Sequence, residues 1–201
     1  MKNSFLKRIF DLTFSLIGLI ISSPLLIIFG LLIKIHDRGP ILYRGIRTGK
    51  HNNQFKMYKF RSMVINAEKI GGSSTSNTDN RITPIGKLLR KYKLDELPQL
   101  FNVFRGDMSF VGPRPEVKYY TDMYNEEEKK ILQLRPGITD WASLWNDDEG
   151  SILQKYENPD KAYEEIIRPE KIRLQLKYYY EHSFLIDIKI IILTLLKIIK
   201  K

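Results

Sequence analysis

Asp95 and Glu96 stand side by side in residues 92–116, "YKLDELPQLFNVFRGDMSFVGPRPE", of a 201-residue chain whose formal net charge is +10. Neighbouring side chains on a helix or strand leave the backbone in different directions, so adjacent carboxylates are poorly placed to share one proton as a dyad. They are better placed for two separate tasks at one spot. Each also has an ordinary use: Asp95 as a helix cap, Glu96 as a first-turn acid meeting the helix dipole. For Asp95, capping and nucleophilicity are compatible, because the positive end of a helix favours the ionised carboxylate.

The cations nearby give that pair something to act on. Arg90 lies five residues before Asp95, Arg114 sits between Pro113 and Pro115, and Lys59 and Arg61 close a basic stretch. Arginine suits bidentate phosphate recognition, and lysine serves as a point charge. A carboxylate attacking a diphosphate needs cations to screen the repulsion and a metal to bridge phosphate oxygens. One acid would attack while the other holds Mg²⁺. Each cation has an alternative as a solvated or lipid-facing charge, and spacing alone does not bring them together.

Composition narrows the setting. The length allows one domain with a core and a membrane appendage. The positive charge favours an anionic partner: nucleic acid, an anionic membrane or a phosphorylated small molecule. With no cysteine, thiol nucleophiles, thiolate metal sites and disulfides are excluded.

The elements that must carry these residues begin with a membrane segment. Residues 12–33, "LTFSLIGLIISSPLLIIFGLLI", hold no charge. As helix they extend about 33 Å, close to the roughly 30 Å hydrocarbon core. A cleaved signal peptide fits poorly, because the apolar run continues past Ser22-Ser23 into Pro24. Pro24 removes a helix hydrogen bond, and Ser22 and Ser23 could satisfy the freed carbonyls. Both flanks are basic, Lys2, Lys7 and Arg8 before and Lys34, Arg38, Arg44, Arg47 and Lys50 after, which favours keeping both ends in the cytoplasm. A kinked span and a hairpin of two arms of about eleven residues remain the two readings of this pattern.

After it comes a β-hairpin, "ILYRGIR", "TGKHNN", "QFKMYKF", then a loop over residues 71–80. A helix is predicted from residue 84, with Ile85, Leu88 and Leu89 inward and Lys87, Arg90 and Lys91 outward. Another is predicted over 95–104, with Pro98 in its first turn. Residues 125–133 read as helix, 140–151 as a loop or short helix, and Pro169 opens a long helix to about residue 182. The end, "FLIDIKIIILTLLKIIKK", is too interrupted by Asp187 and Lys189 to span. It is expected at the interface of an anionic leaflet, with burial against the domain as the alternative.

"KRIFDLTFS…SSP", "GPILYRGIRTG", "FKMYKFRSM", "RITPIGKLLRKYKLDELPQLFNVFRGDMSFVGPRPE" and "RPGITDWA", in this order over residues 7–142, resemble the bacterial sugar transferase family. These are the small monotopic phosphoglycosyl transferases. The resemblance implies transfer of a sugar 1-phosphate from a UDP-sugar to polyprenyl (undecaprenyl) phosphate. The setting would be the cytoplasmic face of the bacterial inner membrane, at the first membrane step of surface-glycan assembly. By the same resemblance Asp95 attacks the β-phosphate, UMP leaves, and the lipid phosphate attacks the aspartyl-phosphosugar; Glu96 binds Mg²⁺. Lys59, Arg90 and Arg114 match positions associated with substrate phosphates, and Arg61 joins them as a phosphate-binding candidate. Ser23 and Pro24 match the break of a re-entrant helix, which favours the hairpin.

The expected fold class is therefore α+β, helix-dominated and monotopic. Its expected parts are a re-entrant segment over 1–36, a catalytic domain over 37–183 and an interfacial helix over 184–201. Expected partners are the donor, the acceptor lipid, inner-membrane lipid and downstream glycosyltransferases, with no nucleic acid. One region departs from the family pattern: "PGITDWASLWNDDEGS" stands where many members read "PGITGWAQVNGRN". Asp140, Ser143 and residues 147–149 thus bear on the sugar or form an acidic solvated loop. Trp141 and Trp145 stack on a ring or pack in the core. A membrane-tethered nucleic-acid binder and a non-catalytic scaffold are the rival functions.

Overall fold

The computed structural model describes residues 4–71, 75, 76, 78–146 and 148–199. Lys2, part of the loop expected at 71–80, Asp147 and the last two lysines lie outside the described residues.

The apolar segment forms one helix, α1 (Ser4–Asp37), continuous through Pro24. Proline cannot donate to the carbonyl four residues back, which here belongs to Ile20. The Ser23 hydroxyl donates to that carbonyl instead, at 2.8 Å, while Ser22 Oγ is buried without a partner. The stretch Phe5–Asp37 is long and apolar enough to cross a membrane.

Both ends of α1 are fastened to the same body. At its start, Lys7 Nζ donates to the Val111 carbonyl at 2.8 Å, and Arg8 donates to the Val103 and Phe104 carbonyls, each at 2.7 Å. Asp11 accepts from Ser109 Oγ and the Phe110 amide, each at 3.1 Å. At its end, Phe29 and Ile33 pack with Phe60 and Leu89, and Asp37 pairs with Arg61. The opposite face, from Phe5 through Ile20, Ile21 and Ile27 to Leu31, is exposed and apolar.

The hairpin forms where the sequence places it: β1 (Leu42–Thr48) pairs antiparallel with β2 (Gln54–Phe60), from Leu42↔Phe60 to Thr48↔Gln54. Helix α2 (Pro84–Lys91) starts on Thr83, whose hydroxyl accepts the Gly86 amide at 3.0 Å. Leu89 is fully buried, but Leu88, expected inward, is 47% exposed. The buried stripe runs through Ile85 and Leu89, four residues apart, and Leu88 falls beside it.

The helix expected over 95–104 is divided. A 3₁₀ turn, Leu94–Glu96, precedes α3 (Gln99–Arg105). Pro98 has no amide to bond back to Leu94, whose carbonyl accepts the Leu97 amide at 3.2 Å instead. Next come β3 (Ser109–Val111), α4 (Lys118–Asp122) and β4 (Gly137–Thr139). Residues expected as helix over 125–133 contain the 3₁₀ stretch Glu128–Gln133. Strands β3 and β4 run parallel and touch closely: a Cβ on Gly137 would stand 2.1 Å from the Gly112 amide nitrogen.

The rest is helical: α5 (Trp141–Trp145), α6 (Glu149–Leu153), α7 (Pro159–Ala162), a π-turn at Tyr163–Ile167, α8 (Arg168–Glu181) and α9 (Phe184–Ile199). This is a helix-dominated α+β chain with two small sheets. Helix α9 buries Ile190 against Val111 and Tyr178. Its Asp187 meets Lys7 and Tyr178 Oη, each at 2.5 Å. Leu185, Leu195, Ile198 and Ile199 on the outer side are exposed. Helix α9 thus docks by one face and presents a second apolar face outward.

Candidate active site

Lys93 sets the site's geometry. Its φ of 57° is left-handed, a conformation that costs a non-glycine residue on the order of 1 kcal/mol. It reverses the chain after α2 and presents the Leu94–Glu96 turn to β2. Neither acid caps a helix, contrary to the ordinary reading of Asp95. The residues preceding the 3₁₀ turn and α3 are Lys93 and Pro98, and neither start has a side-chain cap.

The two carboxylates meet opposite surroundings. Glu96 Oε1 accepts from Lys59 Nζ at 2.8 Å and from an Arg114 Nη at 2.5 Å, and Oε2 lies 3.4 Å from the other Nη. Asp95 is only 7% exposed, yet among the described residues its carboxylate accepts no hydrogen bond. Burial would favour neutral Glu96, but the Arg114 and Lys59 charges, with their hydrogen bonds, hold its carboxyl well below the usual range. Burial pushes Asp95 up; the charge of Glu96 adds to this, and Lys59, Arg90 and Lys93 oppose it without overcoming it.

Different elements supply the cations. Lys59 projects from β2. Arg114 comes from the loop after β3, where its amide donates to Asp140 Oδ2 at 3.3 Å. Arg90, in the last turn of α2, lends its charge to Asp95. One of its guanidinium nitrogens is buried with no partner among the described residues.

Arg61 goes elsewhere. It donates to the Pro40 carbonyl at 2.7 Å and to Asp37 at 2.6 Å, fastening the end of α1 to the chain just after β2. It is therefore an anchor here, not one of the cations around Glu96. Ser23 and Pro24 lie within α1 and take no part in the cluster.

Among the described residues no three acids or histidines gather as a metal cage. The donor set still fits Mg²⁺, which is usually bound through one or two carboxylates and completed by substrate phosphates and water. Asp95 is unengaged, and Glu96 Oε2 has only the long Arg114 contact.

A second ionic cluster lies beside the Arg114 loop, and sequence reasoning missed it. Buried Lys171 meets Glu116 at 2.5 Å, Glu149 at 3.3 Å and Tyr163 Oη at 3.1 Å, and that hydroxyl donates to Glu116 at 2.6 Å. Despite burial, Glu116 and Glu149 hold the Lys171 pKa well above its usual range, and Lys171 holds that of Glu116 low. The only signal available was that Glu116 follows Arg114 by two residues. Glu149 opens α6 with its side chain 35% exposed while reaching Lys171, and Asp148 caps α6 through the Ser151 amide. Asp140 likewise caps α5, while Trp141 packs with Val111, Tyr178 and Ile190. Trp145 is partly exposed.

The chain belongs to the bacterial sugar transferase family, whose sequence model matches residues 2–201. It is 41% identical over 144 residues to a UDP-N-acetylgalactosamine-undecaprenyl-phosphate N-acetylgalactosaminephosphotransferase of Aeromonas hydrophila, covering 70% of this chain and 34% of that protein. It is 35% identical over 201 residues to the UDP-glucose:undecaprenyl-phosphate glucose-1-phosphate transferase of Escherichia coli (strain K12), covering 97% of this chain and 40% of that one. An uncharacterised sugar transferase of Bacillus subtilis (strain 168) is 33% identical over 194 residues, with 96% and 87% covered. The chain spans less than half the length of the first two.

Proposed function

We propose that this protein transfers a sugar 1-phosphate from a UDP-sugar to undecaprenyl phosphate and releases UMP. The observation that carries this is the opposite state of two adjacent acids: Glu96 clamped by Lys59 and Arg114, and Asp95 unengaged beside Arg90 and Lys59. A bound diphosphate would draw on the same cations and add Arg90, leaving the Asp95 oxygen free to attack.

In the first step an Asp95 oxygen bonds to the β-phosphorus, the bond from that phosphorus to UMP breaks, and UMP departs. In the second, a phosphate oxygen of the lipid attacks the same phosphorus and the Asp95 carboxylate leaves. The cations screen the approach of anion to anion. Mg²⁺, held by Glu96 with the diphosphate, would supply further charge neutralisation at the bridging oxygens.

The same reading puts α1 in the membrane as a re-entrant segment on the cytoplasmic face of the inner membrane. Its two basic ends fastened to one body support this, as does the Ser23 bond at Pro24. The outer face of α9 then lies at the interface. In a chain without cysteine, single cysteines at Asn3 and Lys50 can be labelled from either side of sealed vesicles. Labelling from one common side is expected; opposite sides would overturn the re-entrant reading.

The activity itself is tested by UMP release from a panel of UDP-sugars, with and without Mg²⁺ and undecaprenyl phosphate. Release from one preferred donor that disappears in Asp95→Asn is expected. Equal release by the variant would refute the assignment.

A further inference from the structure

Glycine inside a strand often marks a place where something approaches closely. Gly45 is buried in the middle of β1, opposite Met57. A Cβ there would stand 2.7 Å from Tyr43 Cε1, 3.0 Å from Tyr43 Oη and 3.0 Å from an Arg47 Nη. The side chains on either side of Gly45 therefore both lean over it. Any larger residue would push them apart.

Their face of the hairpin is the one that carries Lys59. Tyr43 is the direct cross-strand partner of Lys59, whose ammonium holds Glu96. Directly paired residues share a face of the sheet, and so do residues two apart on one strand, which adds Arg47. At the far end, the Thr48 amide donates to the Glu116 carbonyl at 2.8 Å, so β1 is tied to the loop that delivers Arg114. Arg47 adds its charge to the surroundings of Glu116, but among the described residues it forms no ion pair. The Tyr43 residue remains 39% exposed. A partly exposed aromatic ring thus sits beside a guanidinium that donates to the Ile46 carbonyl at 2.9 Å but has no ion pair among the described residues, one strand away from the cation that grips Glu96.

We propose that Tyr43 and Arg47 form the subsite for the nucleotide half of the donor. The ring of Tyr43 stacks on the nucleobase, and Arg47 takes the phosphate nearest the nucleoside. This rests on the function proposed above, in which Lys59, Arg90 and Arg114 hold the phosphate under attack. The next groups along a nucleoside diphosphate sugar, on the leaving side, are a second phosphate, a ribose and a base. A flat ring with a guanidinium matches that order, whereas an acceptor lipid offers no base to stack. Gly45 keeps the two side chains together.

The test is titration of UMP into the full chain in nanodiscs, alongside donor and acceptor KM, for Tyr43→Leu, Arg47→Gln and Gly45→Ala. Base stacking of ordinary strength implies about tenfold weaker UMP binding for Tyr43→Leu. Donor KM rises in parallel, acceptor KM stays put, and Tyr43→Phe restores most of the lost affinity. Wild-type UMP affinity in folded Tyr43→Leu and Arg47→Gln would overturn the subsite while leaving the proposed reaction standing. A rise in acceptor KM alone would overturn it in favour of a lipid-phosphate site. Wild type that neither binds UMP nor turns over any donor would remove the proposed reaction and the subsite together.

Discussion

Two buried ionic clusters flank the Arg114 loop, and they differ in how completely their members are engaged. In one, Glu116 and Glu149 converge on Lys171, Tyr163 Oη bridges Lys171 and Glu116, and every member has a partner. In the other, Lys59 and Arg114 converge on Glu96, while Asp95 has no hydrogen bond among the described residues and Arg90 keeps an unpartnered nitrogen. A saturated network fixes the chain. An unsaturated one retains charge and hydrogen-bonding capacity that a substrate can use, at the cost of burying groups whose needs are unmet. The left-handed Lys93, two residues before Asp95, places backbone strain in the same cluster.

The largest effect should come from the unengaged acid. Asp95→Asn is expected to lower turnover by about 10³-fold or more, as loss of a covalent nucleophile does. Its stability should move the other way. Asp95 has a raised folded pKa, so its ionisation costs stability at pH 7, and the amide removes that cost. A melting temperature above wild type at pH 7, with the gap closing as pH falls toward 4, checks the sign. Next, Arg114→Gln breaks the clamp on Glu96: a loss of about 10²-fold in turnover is expected, with about 3 kcal/mol of stability for a largely buried pair losing one partner. Urea unfolding and kinetics on the same preparation would measure both.

Lys171→Met sharpens the contrast from the other side. It should cost about 3–5 kcal/mol, because Glu116 and Glu149 lose their shared cation, yet retain much more turnover than Arg114→Gln. A loss of activity as deep as that of Arg114→Gln, in folded protein, would erase the distinction between the clusters. Both clusters share one pH signature. Glu96 and Glu116 have depressed folded pKa values, so their stabilisation is present above their unfolded value near 4.5 and lost as pH falls through the folded values. Arg114→Gln should flatten that acid limb in equilibrium unfolding curves. The smallest effect on chemistry is expected for Arg61→Met, which unfastens Asp37 and lowers the melting temperature but leaves UMP release within about twofold.

Local chemistry made part of this visible in the sequence. Alternation and turn residues located the hairpin within a residue or so, and an uncharged run marked α1. The acids and their cations stood out by residue type. The rest depended on contacts distant in the chain. Arg61 and Lys59 are two residues apart on the same basic stretch, but β2 ends at Phe60, so Lys59 reaches Glu96 from within the strand while Arg61, just beyond its end, reaches Asp37. Lys171 finds Glu116 across 55 positions, which no spacing rule reports. The division of the helix expected over 95–104 follows from the missing Pro98 amide, a signal that is present in the sequence but that a first-turn position leaves compatible with an unbroken helix. Strands β3 and β4 are three residues each and rely on the Gly112–Gly137 approach, too short to leave a period.

The central claim is that Asp95 becomes covalently attached to the sugar phosphate. Incubating the protein with a turned-over UDP-sugar and Mg²⁺, without acceptor lipid, and mapping the mass of its peptides tests this directly. The account predicts a sugar-phosphate adduct on Asp95 that disappears when undecaprenyl phosphate is added. An adduct on another residue, or transfer by Asp95→Asn at the wild-type rate, would contradict it.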